Sequence, residues 1–233
     1  MKLDILAIAV HPDDIELACS GTLLAHIAKG DKVGICDLTQ GELGTRGTAK
    51  LRLKEAETAR KIMKAMVREN LGMKDGFFQH TPQNIKKIIK VIRKYKPRLV
   101  LANAINDRHP DHGRAAKLIA DACYYSGLEK IKTGQVKWRP DAVYHYIQDY
   151  NIEPDFVFDI SEHIDQKMKV IQAFKSQFFD PENKKENTPI SSKAFMEFVK
   201  AKARVYGRPA GFEYGEGYTV NRTIGVKDLY DLK

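Results

Sequence analysis

One tripeptide occurs twice in this chain, and its residue types are those of a metal-dependent hydrolytic site. His11-Pro12-Asp13-Asp14 follows the apolar run Leu3–Val10, and His109-Pro110-Asp111-His112 follows Arg98–Ala102. Together the two segments supply three histidines and three aspartates. Such a set offers neutral imidazoles, a carboxylate ligand and spare acid–base groups. Proline biases the residue before it toward extended geometry, so each leading histidine should prolong its strand. His11 and Asp14 can then chelate one cation, with His112 as third ligand. Two histidines, one carboxylate and an open position form a catalytic zinc pattern, not a closed structural one. Asp13 is placed to take a proton from water. His109 is placed to stabilise an oxyanion and protonate a leaving amine. Asp111 suits the role of orienting a histidine ring through its other nitrogen. Any one of these aspartates alone would read as a helix N-cap. The matched spacing at two strand ends is what favours chemistry.

These segments need elements that bring them together. Leu3–Val10 is apolar throughout, as in a strand buried on both faces. A helix is predicted over Ile15–Lys29, with Gly30 where a C-terminal cap belongs. A strand follows at Lys32–Thr39, then a loop punctuated by Gly41, Gly44 and Gly47, then a helix over Leu51–Met66. A short strand near Arg68–Leu71, a helix over Pro82–Lys96 and a strand over Arg98–Ala102 come next. Helix His112–Ser126, strands Ala142–Tyr146 and Phe156–Ile160, and helices Ile164–Ser176 and Ser191–Tyr206 complete the pattern. Asp180–Pro189 reads as a polar, mobile loop. Alternating strands and helices imply a three-layer, Rossmann-like α/β fold with a mostly parallel, twisted sheet. In the common order 3-2-1-4-5 the first and fourth strands are neighbours, and ligands bind at their carboxyl ends. Both His-Pro-Asp segments would meet there.

Composition narrows the class. The chain has 233 residues, 43% hydrophobic and 30% charged, which fits one large folded domain spanning 1–233. No apolar run approaches the ~18 residues of a transmembrane helix, and the acidic N-terminal start does not read as a signal peptide. Cys19, Cys36 and Cys123 are an odd set, far apart, as expected of buried thiols in a reducing cytoplasm. The net charge of +9 comes from lysines scattered along helices. We therefore expect no nucleic-acid partner and no membrane partner, and at most attraction of an anionic small substrate.

His11-Pro12-Asp13-Asp14 with Gly21, and His109-Pro110-Asp111-His112, resemble the LmbE/PIG-L zinc-dependent N-deacetylases. The resemblance covers nearly the whole chain. It is closest to the branch acting on N-acetylglucosaminyl-malate in bacillithiol biosynthesis. Gly34–Thr39, Gly47-Thr48 with Leu51-Arg52, Asp107–His112, Ser176–Phe178 and Tyr214–Tyr218 carry that narrower similarity. The resemblance implies metal ligands at His11, Asp14 and His112, a general base at Asp13 and an oxyanion or leaving-group histidine at His109. It also implies Zn2+, with Fe2+ as the alternative, and a homo-oligomer, hexameric in that branch. Asp107 stands where some relatives carry a tyrosine assisting the oxyanion.

An acidic glycoconjugate with carboxylates calls for arginine, whose planar fork matches them. Arg108, beside His109, and Arg52, at the start of a helix after the glycine loop, are the candidates. Arg46 is a weaker one, and Glu42 and Gln177 are candidates for sugar hydroxyls. Tyr214–Tyr218 either closes the pocket or packs aromatically. A dinucleotide site is disfavoured, because Gly41-x-x-Gly44-x-x-Gly47 lacks the Gly-x-Gly-x-x-Gly spacing. The alternatives left open are a deacetylase or amidase on another N-acyl sugar or thiol conjugate, and a metal phosphoesterase. The last requires a second metal, for which Asp13, Asp107 and Asp111 could supply ligands.

Overall fold

The structure, a computed structural model, describes residues 1–182 and 188–231. Residues 183–187 of the loop expected at Asp180–Pro189 lie outside the described residues. Seven strands form one sheet: β1 (Ile5–Ala9), β2 (Val33–Thr39), β3 (Val67–Met73), β4 (Leu99–Ala102), β5 (Ala142–Tyr146), β6 (Phe156–Asp159) and β7 (Gly215–Thr219). Their order is β3-β2-β1-β4-β5-β7-β6. The first five strands are parallel, and β7 pairs antiparallel with both β5 and β6. The helices are α1 (Asp14–Ala18), α2 (Ser20–Ala28), α3 (Ala49–Met63), α4 (Pro82–Tyr95), α5 (Pro110–Ser126), α6 (Ile164–Ile171) and α7 (Lys193–Gly207).

The expected adjacency holds: Ile5 of β1 is in register with Val33 of β2 and with Leu99 of β4. β1 has a core on each face. Ile5, Ala7 and Ala9 join one apolar cluster with α2, α3 and α6, whereas Leu6 and Ile8 join another with α4 and α5. This explains why its sequence is apolar without alternation.

The helix expected over Ile164–Ser176 ends at Ile171, and two further differences bear on the site. The helix expected over Ile15–Lys29 breaks at Cys19, whose φ of −138° is not helical. The break is stabilised from a distance. Glu216 of β7 accepts the N–H groups of Gly21 and Thr22 at 2.9 and 2.7 Å, satisfying donors at the start of α2. The second difference is β7 itself, which takes up most of Tyr214–Tyr218 as a strand: Tyr218 stacks on Phe156, while Gly215, Glu216 and Gly217 also line the cleft. A Cβ on Gly215 would lie 2.3 Å from Val157 Cγ1 and 3.0 Å from Gly207 Cα. Only glycine lets α7, β7 and β6 approach so closely. No described helix is long and apolar enough to cross a membrane.

Candidate active site

The two His-Pro-Asp segments meet at the carboxyl ends of β1 and β4. Each leads into a helix, α1 or α5, but neither histidine prolongs its strand as expected: β1 ends at Ala9, before His11, and β4 ends at Ala102, with a loop between it and His109. Asp13 is the residue before α1 and has φ 138°, a conformation rarely adopted outside glycine. Its side chain makes no cap hydrogen bond. In the second segment the N-cap is His109, whose Nδ1 accepts the Asp111 N–H at 3.3 Å. The helix-capping explanation therefore fails for the Asp13 and Asp111 side chains and holds for His109.

Asp14 lies between two imidazoles. Its Oδ2 is 3.5 Å from His11 Nδ1 and its Oδ1 is 3.3 Å from His112 Nε2. Each ring turns its remaining nitrogen to another carboxylate. His11 Nε2 is 2.9 Å from Asp75 Oδ1, and His112 Nδ1 is 3.3 Å from Asp107 Oδ1, a charge contact without hydrogen-bond alignment. A carboxylate behind each ligand histidine fixes its ring and tautomer in metal sites.

The electrostatics suit a cation. Burial opposes charge on His11, but Asp14 and Asp75 override it and raise the ring to about 9. Burial likewise opposes charge on His112, which Asp14 and Asp107 raise to about 10. Asp14 is held well below the usual carboxylate range by both histidines, despite its burial. These rings gather positive charge, and a divalent ion would replace their protons. Imidazole and carboxylate donors of this kind are those a divalent metal could use. Among the described residues, the groups whose ligand atoms all lie within 4.8 Å of one another are His11–His109–His112 and His11–Asp75–Asp111; Asp14 is in neither group, although it contacts both His11 and His112.

Asp13 is buried, and that burial raises its carboxyl to about 6 against the opposing pull of Arg52. Its conjugate base is therefore present at neutral pH yet remains basic enough to take a proton. His109 is held below its usual value, first by burial and then by the neighbouring charges of His11 and His112. With Nδ1 accepting from Asp111, the neutral ring carries its proton on Nε2.

Other expected residues take different partners. Arg52, read as a substrate-carboxylate binder, is buried and donates through Nη2 to Asp13 Oδ2 and Gln177 Oε1, both at 2.7 Å. Arg108 is half-exposed at the cleft and donates from Nε to Asp149. Its two Nη groups make no hydrogen bond among the described residues. Asp111, read as a ring-orienting residue, is 3.9 Å from His11 Nε2, farther than Asp75. It instead accepts from Gly76 N–H and from Arg114, both at 2.9 Å. Glu42 accepts the Asp75 N–H at 2.8 Å, and Gln177 is occupied by Arg52, Arg46 O and Ser176.

Asp75, Asn103 and Gln148 escaped the sequence reading, and Asp107 was weighed only as a ligand of a second metal. Asp75 and Asp107 back the two histidines. Asn103 donates to Asp14 at 3.2 Å and accepts from Val10 N–H, while Gln148 donates to Asp14 at 2.9 Å. Asn103 had a visible signal, as the polar residue ending the β4 run. Asp75 and Gln148 sit in loops far from either motif and had none. The cleft continues past Gln148 to a wall of α7 that includes Phe195, Val199 and Tyr206.

A doubly wound sheet with a buried His/Asp cluster at its switch point defines a class of ligand-binding and metal-assisted α/β proteins. The family model described as GlcNAc-PI de-N-acetylase (PIG-L) matches residues 6–123, and the chain belongs to this family. It is similar to the diacetylchitobiose deacetylase of Thermococcus kodakarensis, with 28% identity over 91% of this chain and 81% of that protein. It is also similar to a Bacillus anthracis protein named probable N-acetyl-alpha-D-glucosaminyl L-malate deacetylase 2, at 26% identity over 75% of this chain and 81% of that protein. Among solved structures, the conserved protein TT1542 of Thermus thermophilus superposes with TM-score 0.87 at 35% identity, covering 97% of this chain and 98% of that one.

Proposed function

We propose that this protein removes the N-acetyl group from an N-acetylglucosamine conjugate, with N-acetylglucosaminyl-L-malate as the substrate. The observation that carries this reading is the buried Asp14 between His11 and His112, with Asp13 and His109 beside it. Membership of a de-N-acetylase family and similarity to two sugar deacetylases support it. A divalent cation held by His11, Asp14 and His112, zinc in this reading and iron(II) as the alternative, would supply Lewis-acid polarisation of the amide and activation of water.

The chain's own residues do the rest. Asp13 accepts the proton of the attacking water. The His109 Nε2–H stabilises the oxyanion as the carbonyl becomes tetrahedral. The amide C–N bond then breaks, and the amine leaves with a proton returned from Asp13 or His109. Acetate and a free glucosamine conjugate result. Arg52 keeps Asp13 aimed, and Arg108 offers its Nη groups to a carboxylate of the aglycone. We further propose that the protein works without nucleic-acid or membrane partners, in the cytoplasm, as a homo-oligomer of hexameric type.

The test is acetate release from a panel of N-acetylglucosamine conjugates, with metal content measured on the same preparation. Acetate from the malate conjugate, with one metal per chain, is the expected result. Protein that stays inert after loading with zinc or iron(II) would end the deacetylase reading. Two metals per chain and cleavage of a phosphate ester would replace it with a phosphoesterase. For the aglycone, Arg108→Ala should weaken use of the malate conjugate far more than use of plain N-acetylglucosamine. Equal losses would remove that role.

A further inference from the structure

One lysine side chain gathers three carbonyls of the segment after β5. Lys202 of α7 directs its Nζ at three consecutive backbone carbonyls, those of Gln148, Asp149 and Tyr150, at 2.5, 3.0 and 2.9 Å. An ammonium has three N–H donors, so these contacts use all of them. Lys202 lines the cleft but has no donor left for a substrate anion. Residues 147–150 belong to no helix or strand, so no ladder supports these carbonyls. Burial draws the ammonium down to about 8, against the pull of Asp149 and Asp107, so it still carries its charge at neutral pH.

The clamped segment touches the site twice. Gln148 Nε2 donates to Asp14 Oδ1 at 2.9 Å. An ionised carboxylate only accepts, so the amide must present its NH2 group there. The Asp149 N–H donates to Asp107 Oδ2 at 2.9 Å, and Asp107 stands behind His112. Through these two contacts one segment restrains a carboxylate ligand and the support of a histidine ligand.

We propose that Lys202 is a positioning residue for the metal centre, acting through Gln148 on Asp14 and through Asp149 on Asp107 and His112. This rests on the reading of His11, Asp14 and His112 as ligands, and not on the identity of the substrate.

The experiment is competition for zinc between the full-length protein and a chromophoric chelator. It uses wild type, Lys202→Met, Lys202→Arg, Gln148→Met and the Lys202→Met/Gln148→Met double variant, with melting curves on each. Each Met variant should weaken zinc binding about tenfold, the lower end of what loss of a ligand's supporting contact costs. The double variant should fall well short of the product of the two single effects, because both act along one chain of contacts. Lys202→Arg should recover most of the affinity. Wild-type affinity in Lys202→Met, or fully multiplicative losses, overturns the proposal. If Lys202→Met does not fold, Gln148→Met decides alone, and unchanged affinity there overturns it. A wild type that binds zinc but cleaves no acetamido sugar ends the deacetylase reading and leaves this titration valid. A wild type that binds no divalent metal ends the ligand reading, and the proposal with it.

Discussion

The Arg52 guanidinium lies 2.7 Å from the Asp13 carboxylate, with both side chains almost wholly buried. This pairing gives Arg52 a role that residue order did not show. It sets the direction and the basicity of the group proposed to take the proton of water. Asp13→Asn should lower turnover at least about 100-fold, the scale of general-base catalysis, while metal content stays at the wild-type level. Loss of the metal in that variant would show that Asp13 is a ligand instead.

The same pair predicts a pH shift. Arg52 pulls the Asp13 carboxyl down against burial, so removing its charge favours the protonated acid. In Arg52→Met the acidic limb of kcat/KM should move to higher pH, by about one unit or more. A limb that stays in place or moves to lower pH would uncouple the two residues.

Beneath the site, Arg68 bridges Glu16 at 2.5 Å and Asp37 at 2.7 Å, with all three side chains no more than 5% exposed. Arg68→Met would leave two carboxylates buried without their cation. Removing one member of such a buried set costs about 3–5 kcal/mol. Urea unfolding should show a loss of that size, and a loss under about 1 kcal/mol would show that solvent reaches the carboxylates.

Gly21 packs against the far end of the chain. A Cβ there would sit 2.8 Å from Ile160 Cγ2 and 2.9 Å from Glu216 Oε1. Gly21→Ala should destabilise the fold by about 1–3 kcal/mol, as overpacking does. It should also loosen the Glu216 contacts that start α2. A melting temperature equal to wild type would mean that β7 yields at no cost.

Metal removal gives the remaining check. A ligand bound only by the native state adds about 2.7 kcal/mol when present at 100 times its Kd. Zinc should therefore raise the melting temperature of chelator-treated protein, and the gain should vanish in Asp14→Asn. An equal gain in that variant would place the metal elsewhere.

The repeated His-Pro-Asp string, the strand–helix alternation and the apolar Leu3–Val10 run determined much of this protein in advance. A β1 buried on both faces, the parallel half of the sheet and the meeting of His11, Asp14 and His112 all follow from local patterning and from the handedness of crossovers. Tertiary structure decided what depends on contacts between distant segments. The break at Cys19 needs Glu216, roughly 200 residues away, to satisfy the freed N–H groups. Strand β7 is made by the fit of Gly215 against Val157 and Gly207, which Gly-Glu-Gly-Tyr-Thr does not announce as a strand. The partners of the site were hidden for the same reason. Arg52 turned to Asp13, and Asp75, Asp107 and Gln148 came to the ligands, because buried charges and polar groups must find partners wherever the fold brings them. Spacing along the chain records the proposed ligands, which share two short motifs. It carries little record of their supports Asp75, Asp107 and Gln148, which come from the loops after β3, β4 and β5.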